Sequence, residues 1–307
     1  MNLSLRNKDR HVRDGWKAVF FVLAAMASFG LAGLVGHALP PAWKAFAPGA
    51  LLAATLGLSI TAAATRLESS SMSSVGLKMD RRFLNQLLQG TLAGGVLIAL
   101  SAAALCAFAG VRLTAVPGPG LAVATKMVVV FLCGAAFEEV LFRGYAFQRV
   151  VRGLGAGPAV ALFGLLFCAG HLPGNLDVGW GLLSLAMANL FASAVLLSLL
   201  YLRTGSLAMP IGLHFGWNLL QASLGFGVSG LSSSHAWFHV DLAGCPPWLT
   251  GGEFGLEASA LTLVVMVLAI WGIESAGRRL GSLRRLPLKS AAQGAHEDPH
   301  LACSRNL

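Results

Sequence analysis

Two adjacent carboxylates stand inside an apolar run: Phe137-Glu138-Glu139-Val140-Leu141-Phe142-Arg143 lies within Met127 to Phe147. A carboxylate at hydrocarbon depth costs about 2.5–3.5 kcal/mol on insertion scales, so neither is kept there without partners. Helical spacing separates their roles. Glu139 and Arg143 lie four apart on one face, with the acid on the N-terminal side that favours an ion pair. Glu138 is turned about 100° away and must find its partner on another element.

Two more motifs carry intramembrane polar groups: Phe167-Cys168-Ala169-Gly170-His171 and His214-Phe215-Gly216-Trp217-Asn218. In each, the first and last residues share a helix face. Glu138 and His171 stand 15 residues before and 18 residues after Gly153, where a turn is expected. On antiparallel neighbours those levels differ by only about 5 Å. Glu138 desolvated beside His171 could take a proton from water, and His214 and Asn218 could donate to the oxyanion of a tetrahedral intermediate. Activated water, an oxyanion stabiliser and a dry pocket are the parts that peptide hydrolysis inside a membrane needs. The same residues allow an alternative, in which Glu138, His171 and His214 ligate a catalytic Zn2+ with an open fourth position. The common helical zinc-protease pattern H-E-x-x-H is absent.

The elements that must position these groups are membrane helices. Of 307 residues, 56% are hydrophobic and 11% charged, against about 25% charged in soluble domains. Mean hydropathy is +0.71. The apolar residues come in runs of about 20, the length of a bilayer-spanning helix. Eight spans are expected, near 18–39, 46–65, 87–109, 121–151, 159–171, 180–202, 206–224 and 256–273. The fourth is read as one long helix whose C-terminal end projects into water. Val75 to Leu88 reads as an amphipathic interfacial segment leading into the third span. That span holds Gly90-x-x-x-Gly94, a spacing that permits close helix approach. The stretch 225–254 reads as an outer loop rich in Gly, Ser, Pro and Trp.

Basic residues test this layout. Nineteen of the 22 Lys and Arg fall in segments placed inside, leaving Lys44, Arg112 and Lys126 outside. Both termini are therefore expected in the cytoplasm. A net charge of +9 does not indicate nucleic acid, because the basic residues form short clusters between spans with no interleaved stacking aromatics. The domain reading is a basic N-terminus over 1–17, a membrane domain over 18–275 with its motif-bearing core at 121–222, and a basic, disordered tail over 276–307. Five cysteines show no C-x-x-C spacing, so no disulfide framework is expected. Glu257 reads as an interface or cap residue. Ser184, Asn189 and Ser193 read as interhelical hydrogen bonders, and Trp43, Trp180, Trp237 and Trp248 as interfacial anchors.

The ordered set Glu-Glu-x-x-x-Arg, Phe-x-x-x-His and His-x-x-x-Asn on successive membrane helices resembles the CAAX-protease and bacteriocin-processing (CPBP, or Abi) family of intramembrane endopeptidases. The likeness runs from about Leu121 to Leu220. It extends to Gly76-Leu77 through Gly90, and to Gly251-Gly252-Glu253-Phe254-Gly255-Leu256-Glu257. It implies an all-α, polytopic intramembrane protease fold and a CAAX-type endopeptidase in which Glu138 and His171 activate water. His214 and Asn218 would then hold the oxyanion, with Glu139, Arg143 and Phe167 in support. Asn175 matches a polar position of some members. No cofactor follows from the resemblance, because the family has been described both as metalloproteases and as metal-free glutamate proteases. Expected partners are the lipid bilayer and a peptide or protein substrate, from prenylated CAAX proteins to bacterial peptides, in a bacterial plasma membrane. The alternatives from other classes are a catalytically silent binding or immunity protein of the same fold, and an ion-coupled transporter. The transporter reading is weakened by the absence of internal repeats.

Overall fold

Backbone N–H and C=O groups cannot go unpaired in hydrocarbon, so apolar runs of this length form helices. The computed structural model describes residues 12–40, 48–172, 178–231 and 235–279. Nine helices of ten residues or more follow one another among them: α1 Asp14–Ala38, α2 Pro48–Leu67, α3 Arg81–Ala104, α4 Leu121–Arg143, α5 Tyr145–Leu154, α6 Ala156–His171, α7 Trp180–Thr204, α8 Ala208–Ser223 and α9 Ala260–Arg279. The protein is an all-α, polytopic membrane protein. Among the described residues six stretches are long and apolar enough to cross a membrane, with α4 and α5 together making one of them. The expected fifth and seventh spans, α6 and α8, have 16 residues each.

The lipid-facing side is legible on α3. Leu84, Leu88, Leu92, Val96 and Leu100 are exposed at every fourth position, while Gly90, Gly94, Ile98 and Ser101 are buried on the other face. An apolar stripe of that length left uncovered belongs against lipid. The helix starts at Arg81 because Asp80 caps it, accepting the Phe83 N–H at 2.9 Å. That bond, reinforced by Lys78, holds the Asp80 carboxyl below the usual carboxylate range. The cap is therefore lost only as pH falls through that lowered value. The expected amphipathic segment from Val75 is different in detail: a 3-10 turn over Met72–Val75 precedes a non-helical connection, and helix begins only at the cap.

The fourth span also differs from the expectation of one unbroken helix. It breaks at Gly144, whose φ of −79° and ψ of −130° leave the helical region. A Cβ at that position would run into the Val140 carbonyl, so the break needs glycine. Beyond it, α5 buries Tyr145, Ala146, Phe147 and Arg149. Glu68 at the end of α2 gathers Lys17 at 2.9 Å, the Tyr145 hydroxyl at 2.7 Å and Arg149, tying α1, α2 and α5 together at one end.

The stretch expected as a plain outer loop contains β2 Phe238–Asp241, which pairs antiparallel with β1 Arg112–Ala115 in the register Arg112↔Asp241 to Ala115↔Phe238. Apolar packing falls into three groups. The largest joins α1, α2, α4, α5 and α6 around Phe21, Phe137, Phe147 and Phe163. The second joins α3, α7, α8 and α9 around Ile98, Leu196, Trp217 and Met266. The third surrounds Phe167, and the polar motifs lie beside it.

The candidate active site

The site depends first on where α8 is held. Gly90 and Gly94 of α3 face Gly212 and Gly216 of α8, and a Cβ on any of the four would enter the backbone of the other helix. The backbones therefore lie in contact, and α8 is fixed in depth and rotation. The expected Gly90-x-x-x-Gly94 approach is present. Its partner glycines, two residues either side of His214, form the same spacing on α8 and went unnoticed in the sequence.

His214 is aimed by a buried ion pair. Glu139 is fully buried and accepts from Arg143 Nη1 at 3.1 Å and from His214 Nδ1 at 2.9 Å, both at Oε1. Arg143, 1% exposed, also donates from Nη2 to the Ala194 carbonyl at 3.2 Å on α7. Its guanidinium lies over the Phe167 ring, 5.2 Å from the centroid. One arginine thus connects α4, α6 and α7, and its carboxylate partner sets the histidine of α8. With Nδ1 turned to Glu139, His214 presents Nε2 to Glu138, whose Oε2 lies 3.9 Å away. That Oε2 is buried and has no hydrogen-bond partner among the described residues.

His171 is set by its own helix. Its Nδ1 lies 2.8 Å from the Phe167 carbonyl, so Nδ1 carries the proton and Nε2 is the basic nitrogen of the neutral ring. The Phe167 ring lies tilted against it, with centroids 4.6 Å apart, and 6.4 Å from the His214 ring. His171, His214 and Asn218 line one cavity together with Phe167, Ser193, Trp217, Ser229 and Glu257. Its volume is about 20 Å³, room for about one water molecule.

The expected residues divide accordingly. His171, His214, Asn218 and Phe167 share a cavity, and Glu138 meets the group through His214. Glu139 and Arg143 lie behind it. Asn175 lies outside the described residues, as does Trp43. Asn189 donates to the Ser259 carbonyl at 3.1 Å, an interhelical bond as expected, while Ser184 bonds only within its own helix and Ser193 faces the cavity. Glu257, expected as a cap, lies on the cavity wall and is buried. Its place in a glycine-rich run, Gly251 to Glu257, was the available signal, because such a run can bring a carboxylate inward from a span's end.

A zinc centre fits this arrangement poorly. Among the described residues no three His, Cys, Asp or Glu side chains are grouped so as to hold a metal ion. Glu138, His171 and His214 are not grouped as such a ligand set.

Comparison of the chain with curated proteins finds no match. A family model does match: residues 120–220 fit the type II CAAX prenyl endopeptidase Rce1-like family. The match begins one residue before α4 and ends within α8, so all three motifs fall inside it. The two-carboxylate motif, both histidines and the amide are thus part of one matched segment, and residues 120–220 match the model of the Rce1-like type II CAAX prenyl endopeptidases, a family of polytopic membrane proteases.

Proposed function

We propose that the protein is an intramembrane endopeptidase of the CAAX type, with Glu138 and His171 activating water and His214 and Asn218 holding the oxyanion. One observation carries the reading. Glu138 Oε2 is a buried carboxylate oxygen with no hydrogen-bond partner among the described residues, turned toward the His214 imidazole. Such an atom is costly unless water or substrate meets it.

The levels of the two activating groups support the pairing. Phe142 of α4 packs edge-on against Phe167 of α6, with centroids 5.1 Å apart. If α4 descends toward the cytoplasm and α6 returns from it, Glu138 lies one turn above Phe142 and His171 one turn above Phe167. Both rise about 6 Å from the same ring pair. This shared level supports the pairing, although the fourth span is not one unbroken helix.

In the resulting mechanism a water in the cavity, hydrogen-bonded to His171 Nε2, gives one proton to Glu138 as its oxygen attacks the scissile carbonyl carbon. The carbonyl electrons move onto oxygen, giving a tetrahedral oxyanion. Protonated His214 donates to it from Nε2, while its Nδ1–H stays on Glu139. Asn218 supplies an amide N–H. Donors of this kind are each worth about 10²–10³ in rate. Collapse of the intermediate breaks the C–N bond, and the proton held by Glu138 passes to the leaving amine. Glu139 and Arg143 serve by fixing the tautomer and angle of His214.

The substrate class follows the family: a prenylated protein ending in the CAAX pattern, or a bacterial peptide, reached from a bacterial plasma membrane with both termini of this chain cytoplasmic. The test is to reconstitute the protein in liposomes and incubate it with a farnesylated peptide ending in CAAX. Mass spectrometry should show peptide-bond cleavage, reduced at least about 100-fold by His171→Ala. A folded wild type that leaves this peptide and unprenylated peptides intact would refute the protease reading.

A further inference from the structure

The connection from α2 to α3, with the first turn of α3, forms an exposed basic surface that the mechanism above does not use. It is fixed in place. Val75 and Leu77 are buried, and the Leu207 N–H, just before α8, donates to the Gly76 carbonyl at 2.9 Å. Gly76 sits at φ 87°, and a Cβ there would stand 3.0 Å from that same Leu207 nitrogen, so the turn needs glycine. Between the buried Leu77 and the buried Phe83, the chain presents Lys78, Met79, Arg81 and Arg82 outward, all four exposed.

The charge on this surface is not balanced within the protein. Asp80 caps α3 and pairs with Lys78 at 3.2 Å. Glu68 is taken by Lys17 and Arg149. Among the described residues no acid pairs with Arg81 or Arg82. The first turn of α3 thus carries two cations and no acid, at the end of a helix whose dipole is already positive. Balance must come from outside the chain. The same helix shows what kind of anion fits. Arg81 stands three residues before Leu84 and seven before Leu88, at the head of the exposed stripe Leu84, Leu88 and Leu92, on the same face. Helical side chains lean toward the N-terminus, so its guanidinium reaches back beyond the stripe. From Arg81 to Leu92 is about 16 Å, close to the roughly 15 Å of hydrocarbon in one leaflet.

We infer that this surface seats an anionic phospholipid, its phosphate held by Arg81 and Arg82 and an acyl chain lying along Leu84, Leu88 and Leu92. A basic head continuous with an apolar stripe one leaflet long matches an amphiphile at both ends. Guanidinium suits the phosphate because its planar fork donates two parallel N–H bonds. The inference requires no proteolytic activity and stands apart from the protease reading.

The experiment is native mass spectrometry of the full-length protein in detergent, titrated with phosphatidylglycerol and with phosphatidylcholine of the same acyl chains. Each cation near an anionic lipid is worth about fivefold in affinity, so the first phosphatidylglycerol should bind about 25-fold more tightly than the first phosphatidylcholine. In Arg81→Gln/Arg82→Gln, with Lys78 left to its bond with Asp80, that ratio should fall to near one. Arg112→Gln, which removes an exposed cation from β1, should keep the wild-type ratio. A wild type without preference overturns the inference. So does a folded double variant whose ratio stays within about twofold of wild type, or a fall that Arg112→Gln shares; the two arginines would then serve topology alone. Should the double variant fail to fold, Arg81→Gln alone decides: a fall of more than about twofold supports the site, and a smaller one overturns it.

Discussion

Arg143 shows how much a single buried charge can organise here. Its guanidinium satisfies Glu139, the Ala194 carbonyl and the face of Phe167 at once. Removing one member of a buried pair leaves the other charged and alone, at a cost of about 3–5 kcal/mol. Arg143→Met should therefore lower the protein's thermal stability strongly and free the His214 ring, which a melting curve in detergent would register. An Arg143→Met protein as stable as wild type would show that Glu139 is neutral. The same residues were legible in the sequence, because an i,i+4 acid–base pair in an apolar run has few other uses. Glu257 was not. A carboxylate beside a span's end reads as a cap, and only the three-dimensional threading of the glycine-rich run turns it inward.

At the scale of elements, the closest packing is between α3 and α8, and it carries His214 and Asn218. A Cβ at Gly94 would already enter the Leu213 carbonyl, and Gly94→Val adds two methyl groups to it. Overpacking of this kind costs about 1–3 kcal/mol and displaces backbone, so cleavage should fall by at least tenfold while α4 and α6 stay in place. Gly95→Val is the control, since a Cβ there meets only the Leu220 side chain at 3.8 Å, and its activity should match wild type. Equal activity in both variants would contradict the idea that α3 sets the depth of α8. Half of this contact was visible in Gly90-x-x-x-Gly94. The other half was hidden because Gly212 and Gly216 flank a motif whose chemistry drew the attention. The break at Gly144 was missed for a related reason. Hydrophobicity continues across it, and periodicity cannot register a one-residue change in ψ.

For the whole molecule, hydropathy and charge gave the helical membrane architecture, because lipid leaves long apolar runs one way to satisfy their backbones. They could not give the β1–β2 pairing, since the alternation in Arg112–Ala115 and Phe238–Asp241 lasts only four residues and the partners are over a hundred positions apart. Orientation can be tested directly. In a chain with its own cysteines replaced, a cysteine at exposed Ser71 should label only from the cytoplasmic side, and one at exposed Ala243 only from the other. The reverse pattern would overturn the placement of both termini in the cytoplasm. The donor arrangement also bears on metal dependence. With no three His, Cys, Asp or Glu side chains grouped to hold a metal ion among the described residues, cleavage should survive treatment of the purified protein with a zinc chelator, and its loss, restored by added zinc, would contradict a metal-free site. The central claim is that Glu138 receives the proton of the attacking water. The direct measurement is kcat for Glu138→Gln on the farnesylated peptide beside wild type, with the folded state of both verified by melting. The account predicts a fall of at least about 100-fold in kcat with KM nearly unchanged; a folded Glu138→Gln that turns over at the wild-type rate would contradict it.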